Sequence, residues 1–146
     1  MTPALYIRKG VVLIAVLFFC TFLNFDFLKD TPASARPDES SELARLMRDM
    51  EHHVIKARSA VLKNKKLKRY PAAFEKIYSA TPTAPTMKHE TFNGFASYYL
   101  SALRDYSESN KENLKENYNM LVAACAACHT THCPGPLSLI EKLPVE

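Results

Sequence analysis

Cys125, Cys128 and His129 gather the reactive side chains of this chain into one short stretch: two thiols separated by Ala126 and Ala127, followed at once by an imidazole. On a helix three residues make almost one turn, so both sulfurs meet the same edge of a bound group while the next residue points at its centre. This C-x-x-C-H spacing is the one by which haem is fixed covalently, each thiol bonding a vinyl group and the imidazole ligating the iron. Three other chemistries compete. Cys125, Cys128, His129, His132 and Cys133 supply enough soft ligands for tetrahedral zinc, yet all lie within nine residues, whereas such sites normally draw ligand pairs from separated segments. A redox dithiol would sit in a βαβ setting that this sequence lacks. Two cysteines in an alanine-rich helix can also be plain small core residues.

The motif needs a scaffold, and the pattern around it predicts one made of helices. Glycine is scarce, at 3 residues in 146, while Ala, Leu, Lys and Glu are abundant and 47% of residues are hydrophobic. Asp38 or Ser40 can cap a first helix with the apolar seam Leu43, Met47, Met50, Val54, Ala57 and Val61, in alternating steps of four and three. It fades into Lys63-Asn64-Lys65-Lys66. Pro71 opens a short second helix with Phe74, Ile77 and Tyr78 on its stripe, and Thr81 to Pro85 is a loop. A third helix runs from about Lys88 to Tyr106, burying Phe92, Phe95, Tyr99, Leu103 and Tyr106, with Gly94 its weak point. After a polar turn at Ser107 to Lys111, a fourth carries Leu114, Tyr118, Leu121, Cys125 and Cys128 on one seam. Pro134-Gly135-Pro136 stops it, and Leu137 to Leu143 can fold back as an apolar tail. The expected fold is all-α, a four-helix bundle of three long helices and one short.

The first 35 residues have a different character. Arg8 and Lys9 precede an apolar run from Val11 to Leu23, and Ala33-Ser34-Ala35 offers a signal-peptidase site before Arg36. Cleavage there is the preferred reading; the alternative is an uncleaved membrane anchor over residues 11–28. Either way the positive flank keeps the N-terminus in the cytoplasm and sends residues 36–146 across the membrane, to a periplasmic location. The domains are therefore 1–35, a leader or anchor with its linker, and 36–146, a helical haem-binding unit. Cys20 sits in a poor lipobox, which argues against lipid attachment. The net charge of +4, near +3 for residues 36–146, is too mild for a nucleic-acid partner.

An exported chain with four helices and C-x-x-C-H near its end resembles the class II cytochromes c, the cytochrome c′ type of four-helix bundle. The resemblance covers about residues 39–131, and Cys125 to His129 is its specific motif. It implies one covalent haem c on Cys125 and Cys128, with His129 as the proximal iron ligand and a distal residue drawn from the first helix. Met47, ahead of Met50, falls at the height where the family places that residue; a thioether there suits a low-spin electron carrier. Both methionines can equally be core filler. His52 and His53 compete for the same role, and His89 reads as an exposed residue at the start of helix three. With no distal ligand the iron would be five-coordinate and bind small gases. The implied function is a non-enzymatic carrier of single electrons between redox proteins, with Lys63, Lys65, Lys66, Lys68 and Arg69 a candidate docking patch. The chain departs from the family at Thr130-Thr131-His132-Cys133-Pro134, where the helix would normally continue with a basic residue near 133. Cys133, without a partner in the chain, leaves open a buried thiol or a disulfide between two copies in a homodimer.

Overall fold

A computed structural model describes residues 40–67 and 69–146, and every regular element among them is helical. The leader, the Asp38 cap, Cys20 and Lys68 lie outside the described residues. None of the described helices is long and apolar enough to cross a membrane.

Helix α1 spans Glu42–Val61. Its N-cap is Ser41, one residue beyond the expected Ser40, and the Ser41 hydroxyl accepts from the Ala44 N–H at 3.1 Å. At the far end Asn64 adopts φ 52°, a left-handed conformation that asparagine tolerates. That lets Lys65 N–H reach back to the Ala60 carbonyl at 2.9 Å and close the helix. The buried stripe is Leu43, Leu46, Met50, Val54, Ala57 and Val61. Leu46 thus takes the central place expected of Met47, which is only half-buried at the rim of the core. On a 3.6-residue period residues 46 and 47 flank the stripe at nearly equal angles, so packing rather than periodicity puts Leu46 inside and leaves Met47 on the shoulder.

The short second helix is a 3-10 segment, Ala72–Tyr78, with Phe74 and Ile77 buried and Tyr78 46% exposed rather than part of the stripe. A second 3-10 turn, Pro85–Lys88, stands apart from α2, Phe92–Glu108, because His89 is extended at ψ −179° and interrupts the helix expected from Lys88 onward. In α2 the buried residues are Phe92, Ala96, Tyr99, Leu100, Ala102, Leu103 and Tyr106; Phe95 is half-buried. Helix α3 spans Leu114–His132 and α4 is the single turn Leu137–Ile140.

The core is organised around α3, which packs against α2, α1 and α4, while the Ala72–Tyr78 segment touches both α1 and α2. The tail folds back as expected. Tyr118 Oη and Arg58 Nε both donate to the Leu143 carbonyl, at 2.9 and 3.0 Å, and Asn119 pairs with the backbone of Val145 through 2.9 and 3.0 Å bonds. Ile140 and Val145 are buried beneath it.

Candidate functional site

The two anchored ends of α1 and α3 fix their relative direction. At one end Arg58 and Tyr118 share the Leu143 carbonyl. At the other, Leu43 N–H donates to Thr81 O at 3.0 Å and Ser41 meets Thr83 at 3.0 Å, while His132 Nδ1 reaches Met87 O, in the same loop region, at 3.0 Å. The helices therefore run antiparallel. Eleven residues along α3 from Tyr118 lies His129, and eleven back along α1 from Arg58 lies Met47. With a rise of about 1.5 Å per residue, both stand about 16 Å from the clamp. Met47 and Met50 thus face the stretch Cys125–His129 in height, Met50 buried at 5% exposure and Met47 at the rim.

Cys125 to His129 all lie within α3 and all are half-buried, whereas Tyr118, Leu121, Val122 and Ala124 just before them are buried. Cys125, Cys128 and Cys133 are free thiols. Burial, reinforced by the neighbouring Cys128, pushes the Cys125 thiol up to about 12; burial and then Cys133 raise Cys128. A redox-active dithiol needs the opposite shift. Nor do any three His, Cys, Asp or Glu side chains among the described residues group so as to hold a metal ion.

His129 is oriented by its backbone neighbour. Its Nδ1 lies 2.9 Å from the Cys133 carbonyl oxygen. A carbonyl can only accept, so Nδ1 carries a proton and, in the neutral ring, Nε2 is the nitrogen with the lone pair, the arrangement that a metal-ligating histidine uses. Pro134 explains why that carbonyl is available. The residue before a proline is pushed out of the α region, and Cys133 sits at φ −157° and ψ 79°, which turns its carbonyl out of the helical ladder. Sequence reasoning weighed Cys133 for its thiol; the signal for its carbonyl was Pro134. These residues fit a covalently held haem: two sulfurs almost one turn apart, and a nitrogen lone pair on the next residue.

Other residues are placed elsewhere. His53 is half-buried, edge-on to Phe74 with centroids 5.5 Å apart; its buried Nε2 has no hydrogen-bond partner, and burial lowers its pKa. His52 is exposed. His89 is exposed as expected, yet its ring stacks on His132 at 3.9 Å, and the two share the Thr91 hydroxyl at 3.3 and 3.2 Å. His132 thereby ties the end of α3 to the loop before α2. Of the basic run, Lys63, Lys65 and Arg69 are exposed, while Lys66 is half-buried and donates to the Ser109 carbonyl. Lys63, Lys65 and Lys66 follow directly on the C-terminus of α1, the end opposite the motif. A cleft of about 540 Å³ lined by Glu75, Tyr78, Ser97, Leu100, Ser101 and Arg104 includes none of the motif residues.

Comparison with protein-family models, curated proteins and solved structures gave no match.

Proposed function

We propose that this chain is an exported monohaem c-type cytochrome of the class II, four-helix-bundle kind, a carrier of single electrons rather than an enzyme. The observation that carries the reading is the His129 Nδ1–Cys133 carbonyl bond, which prepares Nε2 for iron on the same helix that presents Cys125 and Cys128. Attachment would add the S–H of Cys125 and of Cys128 each across one vinyl double bond, forming a carbon–sulfur bond and leaving the hydrogen on the second carbon, so it would consume no oxidant or reductant. Bound in this way, haem supplies a reversible one-electron centre.

The remaining work belongs to the protein. His129 holds its ligand nitrogen in one tautomer, and Cys133 and Pro134 hold His129. Met47 would supply the distal ligand in this reading. It stands level with His129 and at the rim of the core, half-buried, whereas Met50 is already packed within it. The helices α1, α2 and α3 with the Ala72–Tyr78 segment form the low-dielectric bundle that excludes water. Residues 1–35 deliver 36–146 to the periplasm, as a cleaved leader or as a tether. A redox partner docks near the motif rather than on Lys63 to Arg69, since the lysines that follow α1 stand at its opposite end from Met47.

An optical spectrum of the purified protein tests this. Sharp low-spin bands are expected, and Met47→Leu should convert them to broad high-spin bands while Met50→Leu leaves them in place. High-spin bands in the unaltered protein would favour the five-coordinate, gas-binding reading. Absence of visible absorption would overturn the cytochrome reading and leave zinc or a purely structural motif.

A further inference from the structure

His129 takes its orientation from the Cys133 carbonyl, and Cys133 stands where α3 is least secure. The last turn of a helix has carbonyls without helical partners, and it frays readily. Thr130 and Thr131 do little to hold it. Both are exposed and β-branched, and their hydroxyls turn back on Ala126 O and Ala127 O at 2.8 and 3.4 Å. Of the side chains from Thr130 to Cys133, His132 alone among the described residues makes hydrogen bonds outside α3.

The His132 ring is gripped at both nitrogens. Its Nδ1 lies 3.0 Å from Met87 O in the Pro85–Lys88 turn, so Nδ1 carries a proton and donates. In the neutral ring Nε2 then accepts from the Thr91 hydroxyl at 3.2 Å, which leaves Thr91 Oγ1 to accept from His89 Nδ1 at 3.3 Å. The bonds run in one direction, from His89 through Thr91 and His132 to Met87. The His89 ring stacks on His132 at 3.9 Å, and Phe92 and Phe95 meet it in T-shaped contacts at 5.4 and 5.5 Å. A ring so held fixes the residue that carries it, and the next residue is Cys133. That residue closes on His129 twice, its N–H donating to His129 O at 3.2 Å and its carbonyl accepting from Nδ1 at 2.9 Å.

We propose that His132 is a positioning residue for His129: docked on Met87 and Thr91, it holds the last turn of α3 so that the Cys133 carbonyl stays on Nδ1, and it thereby lowers the reduction potential of the site. The inference rests on the cytochrome reading above and adds to it a loop, Met87 to Thr91, that contributes no residue to the motif. A hydrogen bond from Nδ1–H to a carbonyl raises the basicity of the imidazole, and a more basic ligand favours oxidised iron. Loosening the turn therefore raises the potential.

The test is His132→Ala in the haem-loaded protein, with haem content and far-ultraviolet circular dichroism matched to the unaltered protein. A redox titration should show about a tenfold gain in the equilibrium constant for reduction, which for one electron is about 59 mV upward. Proton NMR of the reduced, low-spin protein should show the His129 Nδ1 proton moving upfield and exchanging faster with solvent. His132→Asn keeps an amide N–H toward Met87 O and should recover much of both changes; a shift that asparagine leaves in full assigns the effect to lost packing and overturns the inference. Thr91→Val removes one of the bonds from an exposed residue and should give a smaller rise in the same direction, which decides the question where His132→Ala fails to fold. An unchanged potential with the Nδ1 proton in place overturns the His132 inference while the cytochrome reading stands. A protein that carries no haem overturns that reading instead, before His132 is tested.

Discussion

The two halves of α3 differ in how completely the fold provides for their side chains. From Leu114 to Ala124 the helix buries Leu114, Tyr118, Leu121, Val122 and Ala124, and the Tyr118 hydroxyl ends on a backbone carbonyl of the tail. From Cys125 to His129 every residue is half-buried, and both thiols are unpaired. The first half is built for stability, with packing and polar groups both satisfied. The second is satisfied only where it orients His129. That contrast is what a binding segment grafted onto a structural helix should show, since orphaned polar groups persist where something else supplies their partners.

Substitutions can sharpen the contrast. Leu121→Ala removes a fully buried side chain from the well-packed half and should destabilise the protein by about 3 kcal/mol in urea unfolding. The same measurement on Cys128→Ala in haem-free protein should cost under about 1 kcal/mol, because a half-buried thiol leaves little cavity. Equal losses at the two sites would erase the distinction. Next in size is Tyr118→Phe, which deletes one hydrogen bond from the clamp and should cost about 1 kcal/mol, limited because Arg58 still serves the Leu143 carbonyl.

Acid should weaken the fold. Burial lowers the pKa of His53 and His132 below the ordinary 6.5, so the unfolded chain binds more protons than the folded one in the window beneath that value. Stability is then fully present above pH 6.5 and declines as pH falls toward the folded values. The urea midpoint should drop between about pH 7.5 and about pH 5.5, and His53→Gln should flatten part of that slope. A midpoint that rises on acidification would reverse the sign argued here. The smallest effect belongs to Gly94, whose added Cβ would meet nothing within 4 Å. Gly94→Ala should raise stability by about 0.5 kcal/mol, being near the start of α2 and without positive φ.

Much of this was legible beforehand. The spacing Cys125-Ala126-Ala127-Cys128-His129 defined a single helical edge, and α3 carries it as expected because Ala and Leu around it have nothing to interrupt the ladder before Pro134. The tail's return was readable from Leu137 to Leu143. Three features were not. Leu46 rather than Met47 entered the α1 stripe because the two positions flank it at nearly equal angles on a helix, and only packing in three dimensions decides between them. The start of α2 slid from Lys88 to Phe92 because Pro85 closes a turn of its own and His89 lies extended against His132. The Cys133 carbonyl escaped notice because its role depends on direction in space, which a residue pattern along the chain does not encode.

The central claim is a covalent bond, and mass spectrometry reads it without reference to spin state or potential. Protein produced with its leader in a host that attaches haem to exported chains, then denatured in acid, should weigh one haem more than the polypeptide, with the added mass on the peptide that contains Cys125 and Cys128. The mass of bare polypeptide, with no pigment retained after extraction, would contradict the account.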